Sequence, residues 1–342
     1  MPVRASLIDV AREAGVSPAT VDRVLHGRAG VRARTAERVN EVAHRLGYRP
    51  DPVATRLARA RLARLCFVLP AGTNSFVGML AEQIGALGHW LAEQRARAEV
   101  QSADVFSAPA LAEHLAGLQG QFDAVIVMAL DHPQVRAAID DLEHSGTAVI
   151  TLVSDVPASR RRHFVGIDNV AAGRTAGTLL GRLLGVREGL VGVVLGDHAL
   201  RDHAERLFGF RQILGSEFPG LKLLDPIEGK DRSDRCEPLV AQLLGAEASL
   251  AGLYSIGAGN RGIQAALEAS GRAREITWIC HELTPHARRA LLSGTADAVI
   301  NQDAGHEVRS ACRIALAAVH GERVIADQER IRIDIFVKDN LP

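Results

Sequence analysis

Apolar residues recur along this chain at two different spacings. Over the first sixty residues the spacing is helical. Leu7, Val10, Ala11 and Ala14 share one face, Val21, Val24 and Leu25 a narrower second, and Val39, Val42, Ala43 and Leu46 a third. Gly15 permits a tight turn between the first two helices, and Val16 can plug the space between them. Ser17-Pro18 places a capping serine before a proline at the first helical position, where its missing N–H costs nothing. Gly27 stops the second helix, and Gly47 caps the third, which runs from Arg34 to Leu46. Helix, glycine turn, short capped helix and third helix make a helix-turn-helix unit. A plain three-helix bundle with a solvated face would share this outline.

Beyond this head the pattern changes. Short apolar runs predict strands at Leu65–Leu69, Ala98–Ser102, Ala124–Met128, Ala148–Val153, Leu190–Leu195, Leu223–Ile227, Gly252–Ile256, Thr277–Cys280 and Ala298–Asn301. Helical patterns lie between them, at Met79–Ala92, Pro133–Ser145, Ala172–Leu184, Glu205–Leu214, Gly262–Ser270 and Glu307–Val319. Strand–helix alternation predicts parallel sheets covered on both faces, and the number of strands suits two similar lobes better than one sheet. The 342 residues are too many for one small core, and hydrophobic residues make up 47% while aromatics make up 4%. Alanine, leucine and valine must therefore fill most of the interior.

Charge sharpens the division. The chain is neutral overall, but residues 1–64 hold thirteen arginines, no lysine and six acids. A basic head on an acidic body suits a head that meets phosphates. On the outward face of the second helix stand Pro18, Ala19, Asp22, Arg23 and His26. Ser17 and Thr20 can donate to phosphates, and Arg23 can read a guanine edge with two hydrogen bonds. Leu7 and Arg32 complete the candidate DNA-binding set on the head. The four cysteines, Cys66, Cys236, Cys280 and Cys312, are widely spaced and read as buried free thiols. With no apolar run of signal-peptide or membrane-span length, a cytoplasmic protein is expected.

In parallel sheets ligands sit beyond the carboxyl ends of the strands. The residues there are polar: Asn74 with Phe76, Asp131, Asp168, Arg206, Asn260, Glu282 and Gln302. Carboxylates, amides and an arginine around one aromatic ring suit a polyhydroxylated ligand, a sugar or polyol. Gly257–Gly262 is a literal GxGxxG, but it lies in the second half of the chain. It is expected to be a tight loop lining the cleft; the alternative is a dinucleotide-binding α/β enzyme. His281–His286 misses a zinc-binding helix spacing by one residue, and Pro285 interrupts it. No metal, cofactor or catalytic constellation is expected.

The stretches LIDVAREAGVSPATVDRVLHG and VRARTAERVNEVAHRLGYRPDPVATRLARA resemble the LacI/GalR family of bacterial repressors. The resemblance implies that Pro18, Ala19 and Arg23 face bases, and that Pro52–Arg59 is a hinge helix folding when two subunits pair on DNA. It places Leu57 as a wedge in the minor groove. Asp22 departs from the pattern, where many members carry serine. The remainder is similar to the periplasmic sugar-binding-protein fold. That likeness implies stacking of a sugar on Phe76 and hydroxyl contacts at Asp131, Arg206, Glu282 and Gln302. The departures there are Glu282 for aspartate and the GAGN segment at Asn260. The expected organisation is a helix-turn-helix domain over 1–50, a hinge over 51–62, and a two-lobed α/β ligand-binding domain over 63–342. Its first lobe is 63–166 plus 296–325, and its second 167–295 plus 326–342. The expected partners are a pseudo-palindromic double-stranded DNA operator, a small effector and a second copy of the chain.

Overall fold

A computed structural model describes residues 5–25, 31–48, 62–72, 74–185 and 188–342. His26, Leu57 and the hinge expected over 51–62 fall outside the described residues, apart from Leu62. The chain divides into two compact units, Met1–Arg61 and Leu62–Pro342.

The first unit holds α1 (Leu7–Ala14), α2 (Pro18–Leu25) and α3 (Ala33–Arg45). Ser6 and Asp9 cap α1 reciprocally: the Asp9 N–H donates to the Ser6 hydroxyl at 3.2 Å, and the Ser6 N–H to the Asp9 carboxylate at 2.9 Å. Gly15, at φ +60°, ends α1 in the left-handed conformation that lets the chain turn at once into α2. The Thr20 N–H donates to the Ser17 hydroxyl at 3.2 Å, so Ser17 does cap α2. Val10, Ala11, Ala14, Val21, Val39, Val42 and Ala43 form the core, with Val16 and Leu46 packed against it.

The second unit begins with β1 (Ala63–Pro70), α4 (Ser75–Ala86), α5 (Gly88–Glu93), β2 (Ala96–Ala103), α6 (Ala108–Gly117), β3 (Ala124–Val127), α7 (Pro133–His144), β4 (Ala148–Leu152) and β5 (His163–Val165). These strands form one parallel sheet in the order β2-β1-β3-β4-β5. There follow α8 (Asn169–Leu183), β6 (Gly189–Leu195), α9 (Arg201–Glu217), β7 (Leu221–Leu223), β8 (Ile227–Glu228), α10 (Ser233–Ala246), β9 (Leu250–Ser255), α11 (Asn260–Ala269), β10 (Thr277–His281), α12 (Pro285–Ser293), β11 (Ala298–Asn301), α13 (Ala304–His320) and β12 (Asp334–Phe336). The second sheet runs β12-β11-β10-β9-β6-β7, with β8 also on β6; only β12 is antiparallel. Strands such as β3 and β4 are buried along their whole length, as a sheet covered on both faces requires.

The chain crosses between the lobes three times: between β5 and α8, between β11 and α13, and between α13 and β12. β11 pairs with β10, so residues 298–301 belong to the second sheet. The first lobe regains the chain only at α13, which packs on β1, β3, β4 and β5. This corrects the expected return at residue 296. The reason is that an apolar strand takes whichever edge is open, and periodicity does not say which. The helix expected at Met79–Ala92 begins earlier, at Ser75, and breaks at Leu87 into α4 and α5. The strand expected at Leu223–Ile227 is two short ones, β7 and β8, separated by a stretch that contains Pro226.

Glycines in α8 and α9 set the position of one side chain. A Cβ on Gly173 would lie 1.9 Å from the Arg206 carbonyl oxygen, and one on Gly209 would lie 2.1 Å from that of Val170. The two helix backbones therefore touch, and Arg206 is carried to the end of the sheet.

Candidate functional site

On the first unit, Ser17, Pro18, Ala19 and Arg23 are exposed on α2, with Thr20 and Asp22 half-buried beside them. Arg32, exposed, stands at the start of α3, and Leu7 is half-buried at the start of α1. The hydroxyls of Ser17 and Thr20 lie 2.9 Å apart, leaving two short polar side chains at the N-terminus of α2. This surface can approach a phosphate closely, because no bulky side chain precedes the helix.

On the second unit, two connected cavities lie at the carboxyl ends of the strands. The larger measures about 670 Å³ and the smaller about 190 Å³; Asn74, Asp231, Ser233 and Arg261 line both. The smaller also touches Phe76, Asn260, His281 and Glu282. Asn74 caps α4 by accepting from the Phe76 N–H at 2.9 Å, and Phe76 is buried in the core with part of its surface lining the cavity.

Behind Glu282 lies a buried polar network. Arg206 is 2% exposed. Its Nε donates to Asn169 Oδ1 at 2.8 Å and its Nη1 to the Ile256 carbonyl at 2.9 Å. Its Nη2 lies 3.9 Å from Glu282 Oε1 and has no hydrogen-bond partner. Gln302 Nε2 donates to Glu282 Oε1 at 2.8 Å. Burial pushes the Glu282 carboxyl up to about 7, although Arg206 and Gln302 both pull it down. Glu282 adopts φ +65°, a left-handed conformation that a non-glycine residue holds only when its surroundings impose it.

Asn260 is also fixed: the Ser255 hydroxyl donates to its Oδ1 at 2.7 Å, and its Nδ2 donates to the His281 carbonyl at 3.0 Å. The His281 ring pairs with the Tyr254 hydroxyl at 2.8 Å through Nε2, while Nδ1 has no partner. Burial holds His281 well below the usual imidazole range.

Asn74, Phe76, Asn260 and Glu282 thus meet at the smaller cavity, with Arg206 and Gln302 held against Glu282 from behind. Asp131 and Asp168 do not join them. Asp131 is engaged by Arg136 at 2.6 Å and, from the other lobe, by Arg201 at 3.3 Å. Asp168 is exposed and caps α8, accepting from the Ala171 N–H at 2.9 Å. A guanidinium and a helix N–H thus hold these carboxylates outside the smaller cavity.

Several lining residues had no strong signal in the sequence. The larger cavity is walled on the first lobe by Val105, Phe106, Met128 and Ser154, and on the second by Asp202, His203, Lys230 and Arg235. Lys230 and Asp231 follow one another at φ +51° and +56°, so the loop after β8 is held in a strained turn. The GxGxxG stretch packs into this corner. A Cβ on Gly257 would lie 2.4 Å from Asp231 Oδ1, which accepts from the Ala258 N–H at 2.9 Å. Glu307, on α13, is fully buried with neither carboxylate oxygen partnered. Burial, then the charge of Glu282, pushes it well above the usual carboxylate range. Among the described residues, no helix is long and apolar enough to cross a membrane.

Comparison with known proteins gives the two units separate relatives. Residues 67–323 match the periplasmic binding protein domain, and residues 6–51 match the bacterial regulatory proteins of the lacI family. The chain is 44% identical over 79 residues to catabolite control protein A of Streptococcus mutans serotype c, which is 23% of this chain and 24% of that protein. The match therefore spans about a quarter of the length of that relative. Among solved structures, an ABC transporter solute binding protein from Burkholderia graminis, in complex with D-arabinose, aligns with TM-score 0.74 at 18% identity. That alignment covers 82% of this chain and 97% of the other. A periplasmic solute binding protein from Actinobacillus succinogenes, with bound D-allose, aligns with TM-score 0.72 at 16% identity, covering 81% and 98%. At these identities the likeness is one of fold. The chain belongs to the family of the periplasmic binding protein domain, which it carries behind a head of the lacI family of bacterial regulatory proteins.

Proposed function

We propose that this protein is a homodimeric transcription regulator whose affinity for DNA is set by a small polyhydroxylated ligand, a sugar or polyol. Two copies of α2 enter successive major grooves of a pseudo-palindromic site, with Arg23 on base edges and Ser17 and Thr20 on phosphates. The ligand binds between the lobes, its hydroxyls on Asn260 and Glu282, with Arg206 holding Glu282 from behind, and its C–H face on Phe76. Ligand and DNA affinities are then coupled reciprocally, and repression relieved by ligand is the working case.

The observation that carries this reading is the pairing in one chain of a lacI-family head with a cleft lined by Asn260 and Glu282, the latter backed by the buried Arg206 guanidinium. A carboxylate so backed can accept from a ligand hydroxyl without turning away from the cavity. The boundaries 1–50, 51–62 and 63–342 and the cytoplasmic setting remain part of the proposal.

Selection of duplexes from a random pool by the full-length protein tests the DNA half. An enriched two-fold-related sequence is expected, with affinity falling steeply as salt rises. Arg23→Ala should relax the choice at one base pair per half-site by about 1–3 kcal/mol while leaving folding unchanged. An unselective pool, or binding indifferent to salt, overturns it.

A further inference from the structure

We infer that the effector is anionic as well as polyhydroxylated: a sugar acid or a phosphorylated sugar, with its negative group against Arg235 and Arg261. This rests on the effector reading above and goes beyond it by assigning the ligand a charge and a direction in the cleft.

The second-lobe wall of the larger cavity carries Lys230, Arg232, Arg235 and Arg261. Two of these cations are already answered. Lys230 pairs with Asp197 and, at 3.3 Å, with Glu228; Arg232 pairs with Asp234 at 2.5 Å. Arg235 and Arg261 are exposed, and neither forms an ion pair among the described residues. Two guanidiniums lining one cavity offer paired donors to an anion. Of the acids nearest in the chain, Asp231 accepts from the Ala258 N–H and Asp234 pairs with Arg232, and neither forms an ion pair with Arg235 or Arg261.

The backbone adds to this. α9, α10 and α11 all begin near this wall, and none has a side-chain cap; their cap positions are Leu200, Arg232 and Gly259. Free N–H groups at a helix N-terminus favour an anion.

An independent observation comes from the opposite wall. Ser154 lines the same cavity, is 2% exposed, and its hydroxyl has no partner. It follows Val153, which adopts φ +64°, a costly conformation for a β-branched residue. The turn thus presents a desolvated donor to the cavity and satisfies it with nothing from the chain.

Arg261 lines both cavities, so a single molecule can span the throat. Its hydroxyls then lie on Glu282 and Asn260 in the smaller cavity, and its anion on Arg235, Arg261 and Ser154 in the larger. Asp202, whose Oδ1 is unpartnered on the same cavity, accepts a further hydroxyl.

Thermal shift and calorimetry on the full-length protein provide the test. The probes are D-gluconate and D-glucose 6-phosphate, each against D-glucose, then other sugar acids and sugar phosphates against their neutral parents, with inorganic phosphate alone as control. One anionic compound is expected to bind about tenfold or more tighter than its neutral parent, with the difference shrinking as salt rises. The acid and phosphate arms distinguish the two sources of charge. Arg235→Gln with Arg261→Gln should abolish the difference yet leave the ligand-free melting temperature unchanged, and Arg235→Gln alone should shrink it. Equal binding of neutral parent and anion, an unaltered preference in the double variant, or an equal shift with phosphate alone overturns the inference. If no sugar of either kind binds, the sugar reading itself falls, and a nucleotide hit in the same assay has the same effect.

Discussion

The two walls of the cleft are built from opposite chemistry. The first lobe contributes Phe76, Val105, Phe106 and Met128, with few polar side chains among them. The second contributes Glu282, Asn260, Asp202, His203 and a row of cations. A polyhydroxylated molecule is two-sided in the same way, with C–H faces and hydroxyl edges. The pairing means that specificity and pH dependence should reside on the second lobe, and apolar contact area on the first.

Three changes would break or sharpen that contrast. The largest effect is expected from Arg206→Ala. It strands Asn169 and the Ile256 carbonyl and removes the cation beside Glu282. A loss of about 3–5 kcal/mol in denaturant unfolding is expected, together with loss of ligand stabilisation. A cost below about 1 kcal/mol would show that the network is not tightly built.

Next comes Glu282→Gln. The Glu282 carboxyl, ordinarily near 4.5, is pushed up to about 7 by burial. The folded state therefore holds a proton that the unfolded chain has given up. That stabilisation is complete below about 4.5 and is lost as pH rises through 7. Unfolding free energy should fall by roughly 3 kcal/mol over that window in the wild type and fall less in Glu282→Gln, with Glu307 supplying what slope remains. Identical slopes in the two proteins would count against a buried, proton-holding Glu282.

The smallest effect belongs to the apolar wall. Phe106 is half-buried, and Phe106→Ala should cost about 1 kcal/mol, independent of pH. A pH-dependent cost would mean that the walls are not chemically separate.

Legibility in the sequence followed the range of the interactions. The head could be read almost residue by residue, since its core is set by helical spacing and its turns by Gly15, Ser17 and Pro18. In the second unit the strand-end rule picked out Asn74, Phe76, Asn260 and Glu282, which line the smaller cavity, and Arg206 and Gln302, which lie against Glu282. It placed Asp131 and Asp168 at the same rim without saying which way they turn. Arg136 lies five residues on from Asp131, and the Ala171 N–H three residues on from Asp168; those local partners decide. The cationic wall was missed because α10 contains Pro238 and its flanking loop has no periodicity. The lobe assignment of β11 depends on strand pairing across the sheet, which no local pattern encodes.

Gln302 lies immediately after β11, on one of the three crossovers, and Asn169 lies immediately after another. In any hinged body the fulcrum moves least while the far edges sweep the widest arc. Glu282 and Gln302 lie beside one of these crossovers, near the axis about which the lobes would turn, whereas Arg235 and Phe106 line the larger cavity from opposite lobes, so the same small turn would change their separation more.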